Sequence, residues 1–249
     1  MIEENMHLTQ YSGNGAESER RDFACYGKRP SASTKRSPLR LNLGCGDIQP
    51  DSWVNVDGSN RARLAARFTW IDRLLVTLRV LPSSKFNGKT VYTDLLRHFP
   101  WGDNTVEAIY MGEILEHFTQ GQGEHVVREC YRVLKPGGIL RIRVPDHARF
   151  WKNYVDEYEC TKQKAREDWS LAHTRWTHMY FDNLCTSRLR CWQSIGHYQK
   201  WMYDEISLIL LVEAIGFQCV ERSTFHQSRI RQLEEVEVRD DLIVEALRP

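Results

Sequence analysis

Leu39-Arg40-Leu41-Asn42-Leu43-Gly44-Cys45-Gly46-Asp47-Ile48-Gln49-Pro50-Asp51-Ser52-Trp53-Val54-Asn55-Val56-Asp57, residues 39–57, holds two short apolar runs joined through a glycine turn. A run that stops at Gly44-Cys45-Gly46 reads as a buried strand entering a tight bend. A second run that stops at Asp57 puts a carboxylate at the end of the next strand. Glycines let a ligand approach backbone N–H groups, and such a carboxylate accepts both hydroxyls of a ribose. Gly-x-Gly alone is also an ordinary turn, so the spacing around it has to decide.

A dinucleotide site needs G-x-G-x-x-G, a helix aimed at a pyrophosphate and an acid about 20 residues on. Here position 49 is Gln, and only Asp47 to Ser52, with Pro50 among them, separate the turn from the second run. So short a piece cannot hold a phosphate-facing helix. A ligand with a ribose and no pyrophosphate fits better, and S-adenosylmethionine is one.

Outward from this stretch, further runs recur at the spacing of an alternating α/β fold: Val91 to Thr93, Val106 to Met111, Ile139 to Val144, Gln218 to Ser223 and Leu242 to Ala246. With the first two they make seven candidate strands. Glu124 to Leu134 repeats apolar residues on one helical face before Lys135-Pro136-Gly137-Gly138. Tyr203 to Ile215 is a second helix, with Asp204 placed to cap it and Gly216 to end it. Residues 147–203 are 12 aromatics in 57 residues, about twice the chain average, and read as an aromatic-rich helical insertion too long for a connector. Residues 1–38 mix Ser, Thr, Gly, Pro and charges without either period and read as a flexible arm. The domain expected is therefore 39–249, with 147–202 as a lid and acceptor-binding region.

At 249 residues with 41% hydrophobic and 27% charged side chains, the chain has the composition of a globule with one large core. Lys plus Arg number 34 against 33 Asp plus Glu, so a net charge of +1 gives no general field for a polyanion, and a nucleic-acid partner is not expected. Neither a secretory signal nor an apolar window near the ~20 residues of a membrane span occurs, which points to the cytoplasm. Seven scattered cysteines without a Cys-x-x-Cys pair argue against a disulfide framework or a structural zinc.

The motifs together resemble the class I S-adenosylmethionine-dependent methyltransferases over residues 39 to about 146, and more loosely from 203 to 247. Leu41 to Gly46 resembles their first motif, Asn55-Val56-Asp57 the strand ending in the ribose acid, and Thr93-Asp94-Leu95 the adenine corner. Phe99 to Tyr110 is similar to the family's approach to its fourth strand, and Glu116-His117 and Arg132 to Gly138 complete the order. The resemblance implies a seven-stranded, mostly parallel Rossmann-like sheet with helices on both faces. It implies S-adenosylmethionine as cofactor, held by Leu43, Gly44, Cys45, Gly46, Asp57, Gly58, Asp94, Leu95, Gly112 and Glu113. The texture is closest to methyltransferases found among polysaccharide and lipopolysaccharide biosynthesis proteins. Two departures stand out: no first helix follows the glycine turn, and position 48 is Ile where many members have a third glycine.

Methyl transfer from a sulfonium is an in-line displacement that asks the protein to position a nucleophile and to take its proton. His117 and His147 follow the fourth and fifth candidate strands, where open α/β sheets bind ligands, and are the catalytic candidates. Each also reads as a plain loop or capping histidine. Glu113-Ile114-Leu115-Glu116-His117 resembles a divalent-metal motif of some O-methyltransferases, but Glu-His here is common without a metal, and none is assigned. His197 could face substrate, and His173 and His178 are poorly spaced for ligation. Trp151, Tyr154, Tyr158, Trp169, Trp176, Tyr180, Phe181, Trp192 and Trp201 suit a packed lid with a few substrate contacts, and Arg175, Arg188 and Arg190 suit an anionic acceptor group or solvent.

Met111-Gly112-Glu113-Ile114 stands where amide and amine methylases carry Asn-Pro-Pro-aromatic, so oxygen is the expected acceptor atom, on a saccharide or other small molecule. A catalytically silent S-adenosylmethionine sensor or scaffold, or an RNA methyltransferase, are the alternatives. A nicotinamide dehydrogenase is disfavoured by the short bend. Oligomeric state has no signal in the sequence.

Overall fold

The computed structural model describes residues 38–80, 86, 89–166, 169 and 199–249. Its strands fall on the seven apolar runs: β1 Arg40–Leu43, β2 Val54–Asp57, β3 Val91–Tyr92, β4 Val106–Gly112, β5 Leu134–Val144, β6 Gln218–Arg222 and β7 Leu242–Leu247. They form one sheet in the order β3-β2-β1-β4-β5-β7-β6. Neighbours among β1 to β5 pair in parallel, and β7 runs antiparallel to both β5 and β6. The chain winds outward from β1 through β2 and β3, then crosses back to β4. Strand order therefore reverses between β1 and β4, and the crevice beyond their carboxyl ends is where such a sheet binds ligands.

The helices among the described residues are α1 Asn60–Arg67, α2 Thr69–Thr77, α3 Gln120–Val133, α4 His147–Lys162 and α5 Glu205–Ile215. Thr119 and Gln122 close a capping box on α3, and Asp204 and Ser207 close one on α5, which Gly216 ends at φ 112°. α3 passes directly into β5. Val106 pairs with Leu134 and Ala108 with Ile139, so Lys135 to Gly138 bulge out of the ladder instead of forming a separate loop.

Strand alternation gives the sheet two unlike faces. One carries Leu41, Leu43, Val56, Ile109, Met111, Leu140, Ile142, Val144 and Val244, packed with Val126, Cys130 and Val133 of α3 and Leu208 and Val212 of α5. The other carries Arg40, Asn42, Asn55, Tyr110, Arg141, Arg143 and Glu245, all buried. Over that polar face lies the connection from β6 to β7, whose Ile230, Leu233 and Val236 pack on Trp53, Ala108 and Tyr110. Arg141, fully buried, donates to both Glu237 carboxylate oxygens at 2.7 and 2.8 Å, to Glu245 at 2.8 Å, and to Ser223, Thr224 and Gln227 of the same connection.

No helix lies between β1 and β2, as the six-residue spacing requires. Asn42 Nδ2 donates to the Ile48 carbonyl at 2.8 Å and Asn55 Nδ2 to the Pro50 carbonyl at 2.9 Å. Gln49 bonds back to the Gly46 carbonyl. Side-chain amides thus satisfy backbone that a helix would have satisfied internally. The α1–α2 hairpin is an element that the helical patterns of the sequence did not mark, because much of its apolar surface points outward and leaves no buried stripe to read.

Of the expected insertion, α4, Trp169 and residues 199–202 are described. Arg175, Trp176, Tyr180, Phe181, Arg188, Arg190, Trp192, His173, His178 and His197, and residues 1–37 of the expected arm, lie outside the described residues.

Candidate active site

The glycine turn is stapled to β2. Gly44 and Gly46 both take positive φ, 69° and 48°, which glycine adopts without strain. A Cβ on Gly44 would stand 2.9 Å from the Ile114 side chain, whereas one on Gly46 would meet nothing nearer than the Gly44 carbonyl at 4.0 Å. Space is thus left open above Gly46. The Cys45 N–H donates to the Val56 carbonyl at 3.0 Å and the Gly46 N–H to Asp57 Oδ2 at 3.2 Å. These two amides hold the turn against β2. Burial, with the Asp57 charge adding to it, pushes the Cys45 thiol up to about 12, so it stays protonated and inert.

Asp57, at the carboxyl end of β2, accepts from Gly46 through Oδ2 and from the Ser59 N–H at 2.8 Å through Oδ1. A carboxylate has about four lone-pair directions, so each oxygen keeps one. Gly58 follows, and a Cβ there would press to 2.8 Å from the Thr93 carbonyl, so the ends of β2 and β3 come close. Buried Thr93 Oγ1 has no hydrogen-bond partner. Asp94 Oδ1 takes the Leu96 N–H and Oδ2 the Arg97 guanidinium, which shapes the corner after β3, and the Leu95 side chain is in the core. Leu43 is likewise a core residue.

Beyond β4, Gly112 lies against the Tyr110 hydroxyl, and Glu113, at φ 54°, pairs with Arg143 at 2.9 Å. Leu115–His117 form a single 3-10 turn. Glu116 is 2% exposed, and its Oε2 has no partner. Burial, with smaller contributions from Glu113 and Asp241, pushes its carboxyl up to about 8 against opposing bonds and charges. The Glu116 carbonyl accepts the Lys200 and Trp201 N–H groups, tying this turn to the chain that enters α5. His117 is half-buried, and its N–H donates to the Ile114 carbonyl at 3.2 Å. His147 opens α4, behind its cap Asp146. Its ring is buried with neither nitrogen hydrogen-bonded, and burial lowers its pKa, which leaves the imidazole neutral at pH 7. Buried Tyr203, whose carbonyl takes the His147 N–H, also has an unpartnered hydroxyl, and burial pushes it up to about 12, the Glu116 charge adding to it. Glu116 and Tyr203 were not singled out as site residues from sequence. Spacing marks Glu116, but nothing local reveals its burial. Among the described residues no three His, Cys, Asp or Glu side chains converge as metal ligands.

A methyltransferase-domain family model matches residues 41–142, which run from β1 into β5 and include the glycine turn, Asp57, the Thr93–Leu95 corner and the turn from Gly112 to His117. Residues 41–142 form a methyltransferase domain. The match takes in less than half of the chain, and the sheet that contains it has its antiparallel seventh strand between the fifth and sixth. The chain is similar to solved structures at low identity. One is an S-adenosylmethionine-dependent methyltransferase from Archaeoglobus fulgidus, at 12% identity and TM-score 0.45, covering 84% of this chain and 86% of that one. Another is a possible histamine N-methyltransferase from Thermotoga maritima, at 13% identity and TM-score 0.42, covering 85% and 82%. At such scores these likenesses decide nothing alone. No curated protein matches.

S-adenosylmethionine is the cofactor that the resemblance implies, and the residues present fit it. Room for a Cβ at Gly46 and the free lone pairs of the Asp57 carboxylate that holds its N–H suit a ribose with two hydroxyls.

Proposed function

We propose that this methyltransferase moves the methyl group of S-adenosylmethionine to an oxygen of a small acceptor, a saccharide being the leading class, in the cytoplasm. The observation that carries the placement of the site is the Asp57 carboxylate, held at the end of β2 beside the open face of Gly46. Asp57 would accept the ribose hydroxyls, the Asp94–Leu95 corner would meet the adenine, and Gly112 and Glu113 would border the methionine end. Bound S-adenosylmethionine supplies an electrophilic methyl on a sulfonium.

The remaining work falls to side chains beyond β4 and β5. His147 carries a neutral, unpartnered ring and is the better disposed of the two histidines to take the proton of an acceptor hydroxyl at a ring nitrogen. His117 on the 3-10 turn is the second candidate. Oxygen is favoured over nitrogen because Met111-Gly112-Glu113-Ile114 supplies no amide-holding Asn-Pro-Pro sequence.

Incubating the full chain with methyl-labelled S-adenosylmethionine and, separately, saccharides, small hydroxylated metabolites and RNA tests the reading. Label should enter a saccharide or small hydroxyl compound in alkali-stable ether linkage. Label in RNA, or tight cofactor binding with no labelled product, would replace the proposal with the RNA or the silent-module alternative. Asp57→Ala should weaken S-adenosylmethionine binding about 10- to 100-fold in calorimetry, since a charge-assisted hydrogen bond contributes roughly 1.5–3 kcal/mol. An unchanged dissociation constant would move the pocket elsewhere.

A further inference from the structure

The α1–α2 hairpin is built inside out. In α2 the inward position is held by buried Asp72, paired with Arg61 at 3.0 Å. Trp70, Leu74 and Leu78, spaced four apart and therefore on one side of the helix, face out, with Trp70 68% and Leu78 61% exposed. Phe68 before the helix and Val80 after it are exposed as well. An exposed apolar patch on an otherwise ordinary surface marks an interaction site.

The charges around that stripe say what it meets. Residues 60–80 hold five arginines and one aspartate, in a chain whose whole formal charge is +1. The aspartate is the one turned inward and neutralised by Arg61, so Arg63, Arg67, Arg73 and Arg79 are exposed on the same hairpin as the apolar side chains with no acidic residue between positions 60 and 80 left to offset them. A second copy of this chain would bring the same positive field against itself, an isologous pairing that the arginines oppose. A surface that accepts Trp, Phe and Leu to a shallow depth while offering negative charge is an anionic lipid interface, the setting in which short helices with an aromatic apolar face and a basic rim lie flat. No helix of the described residues is long and apolar enough to cross a membrane, so the contact is peripheral.

We propose that the outward face of the α1–α2 hairpin docks the protein on anionic membranes, with Trp70, Leu74 and Leu78 entering the headgroup boundary and Arg63, Arg67, Arg73 and Arg79 pairing with acidic headgroups. α1 begins at Asn60, three residues after Asp57, so docking sets the end of β2 close to the lipid surface.

Flotation of the full chain with vesicles of phosphatidylcholine alone and of phosphatidylcholine with phosphatidylglycerol tests this. The chain should float with the anionic vesicles, stay behind with the neutral ones, and lose binding as salt rises. Trp70→Ser with Leu74→Ser should lower partitioning at least about tenfold, and Arg73→Ser about fivefold, each lipid-facing arginine adding that much near an acidic surface. Far-UV dichroism and the thermal midpoint establish that the variants fold, and Arg73→Ser gives a second reading that removes no apolar side chain. Absence of flotation, or flotation unchanged in folded variants, overturns the proposal. So does a dimer in light scattering that Trp70→Ser with Leu74→Ser dissolves, which would assign the stripe to a second copy.

Discussion

Glu116 holds a carboxyl group in the interior beside a tyrosine hydroxyl that is also unpartnered. Its folded value of about 8, against 4.5 ordinarily, means the folded protein keeps a proton that the unfolded chain releases. Stability then falls as pH rises from about 4.5 and levels off above about 8, the reverse of a salt-bridged acid. Glu116→Gln keeps the shape and removes the titration. The variant should match the parent near pH 5 and exceed it at pH 8 by on the order of a few kcal/mol in urea unfolding. Parallel pH curves for the two proteins would show that Glu116 does not carry that proton. The sequence marks this residue as one of an E-x-x-E-H group, yet what makes it unusual is burial by residues near 200, which spacing does not encode.

One element interface joins the loop before β4 to α3. Glu129, buried on α3, accepts the Phe99 N–H at 2.7 Å and two Arg132 contacts at 2.7 and 2.9 Å, while Arg132 reaches the carbonyls of Phe99 and Trp101 and the Asp103 carboxylate. The Arg132 hydrogen bonds, against a cost of burial, hold Glu129 down to about 2. Its contribution is therefore present above about 4.5 and lost as pH falls toward about 2. Glu129→Ala leaves the guanidinium and a buried N–H without their acceptor and should cost about 3 kcal/mol at pH 7 in urea unfolding. A loss no larger than that of an exposed ion pair would mean that this pair does not fasten the loop. At this scale the sequence was informative: Asp204, Gly216 and the apolar period of α3 are short-range signals, and both helices lie where those signals place them. α2 escaped because Trp70 and Leu74 face out, and α1 because the residues it buries are the small Ala62 and Ala65.

Across the molecule, the β6–β7 connection stands where a helix between β1 and β2 would otherwise cover the sheet. It reaches back to the start of the domain: Arg40 donates to the Arg231 carbonyl and the Gln232 side chain, Trp53 Nε1 to the Gln232 carbonyl at 3.1 Å, and Ser52 to Glu235. Its anchor is Arg141 between Glu237 and Glu245. Glu237→Ala should destabilise the protein by about 3–5 kcal/mol, because an interior guanidinium then loses its main counter-charge. Glu237→Leu combined with Arg141→Met should recover part of that loss in the same urea assay, since the pair is replaced by apolar volume. A double variant less stable than the sum of the singles would show that the ions are needed together for another reason.

Residues 39–57 alone determined the first two strands, the helix-free bend and the acid at the end of β2, because strand period and turn chemistry act over a few neighbours. The family-level reading followed from that order. Tertiary structure decided the rest: which face of the sheet is polar, what covers it, and that the Gly46 amide holds Asp57. These depend on partners as much as 192 positions apart, whose meeting is set by how the layers pack and not by any local pattern.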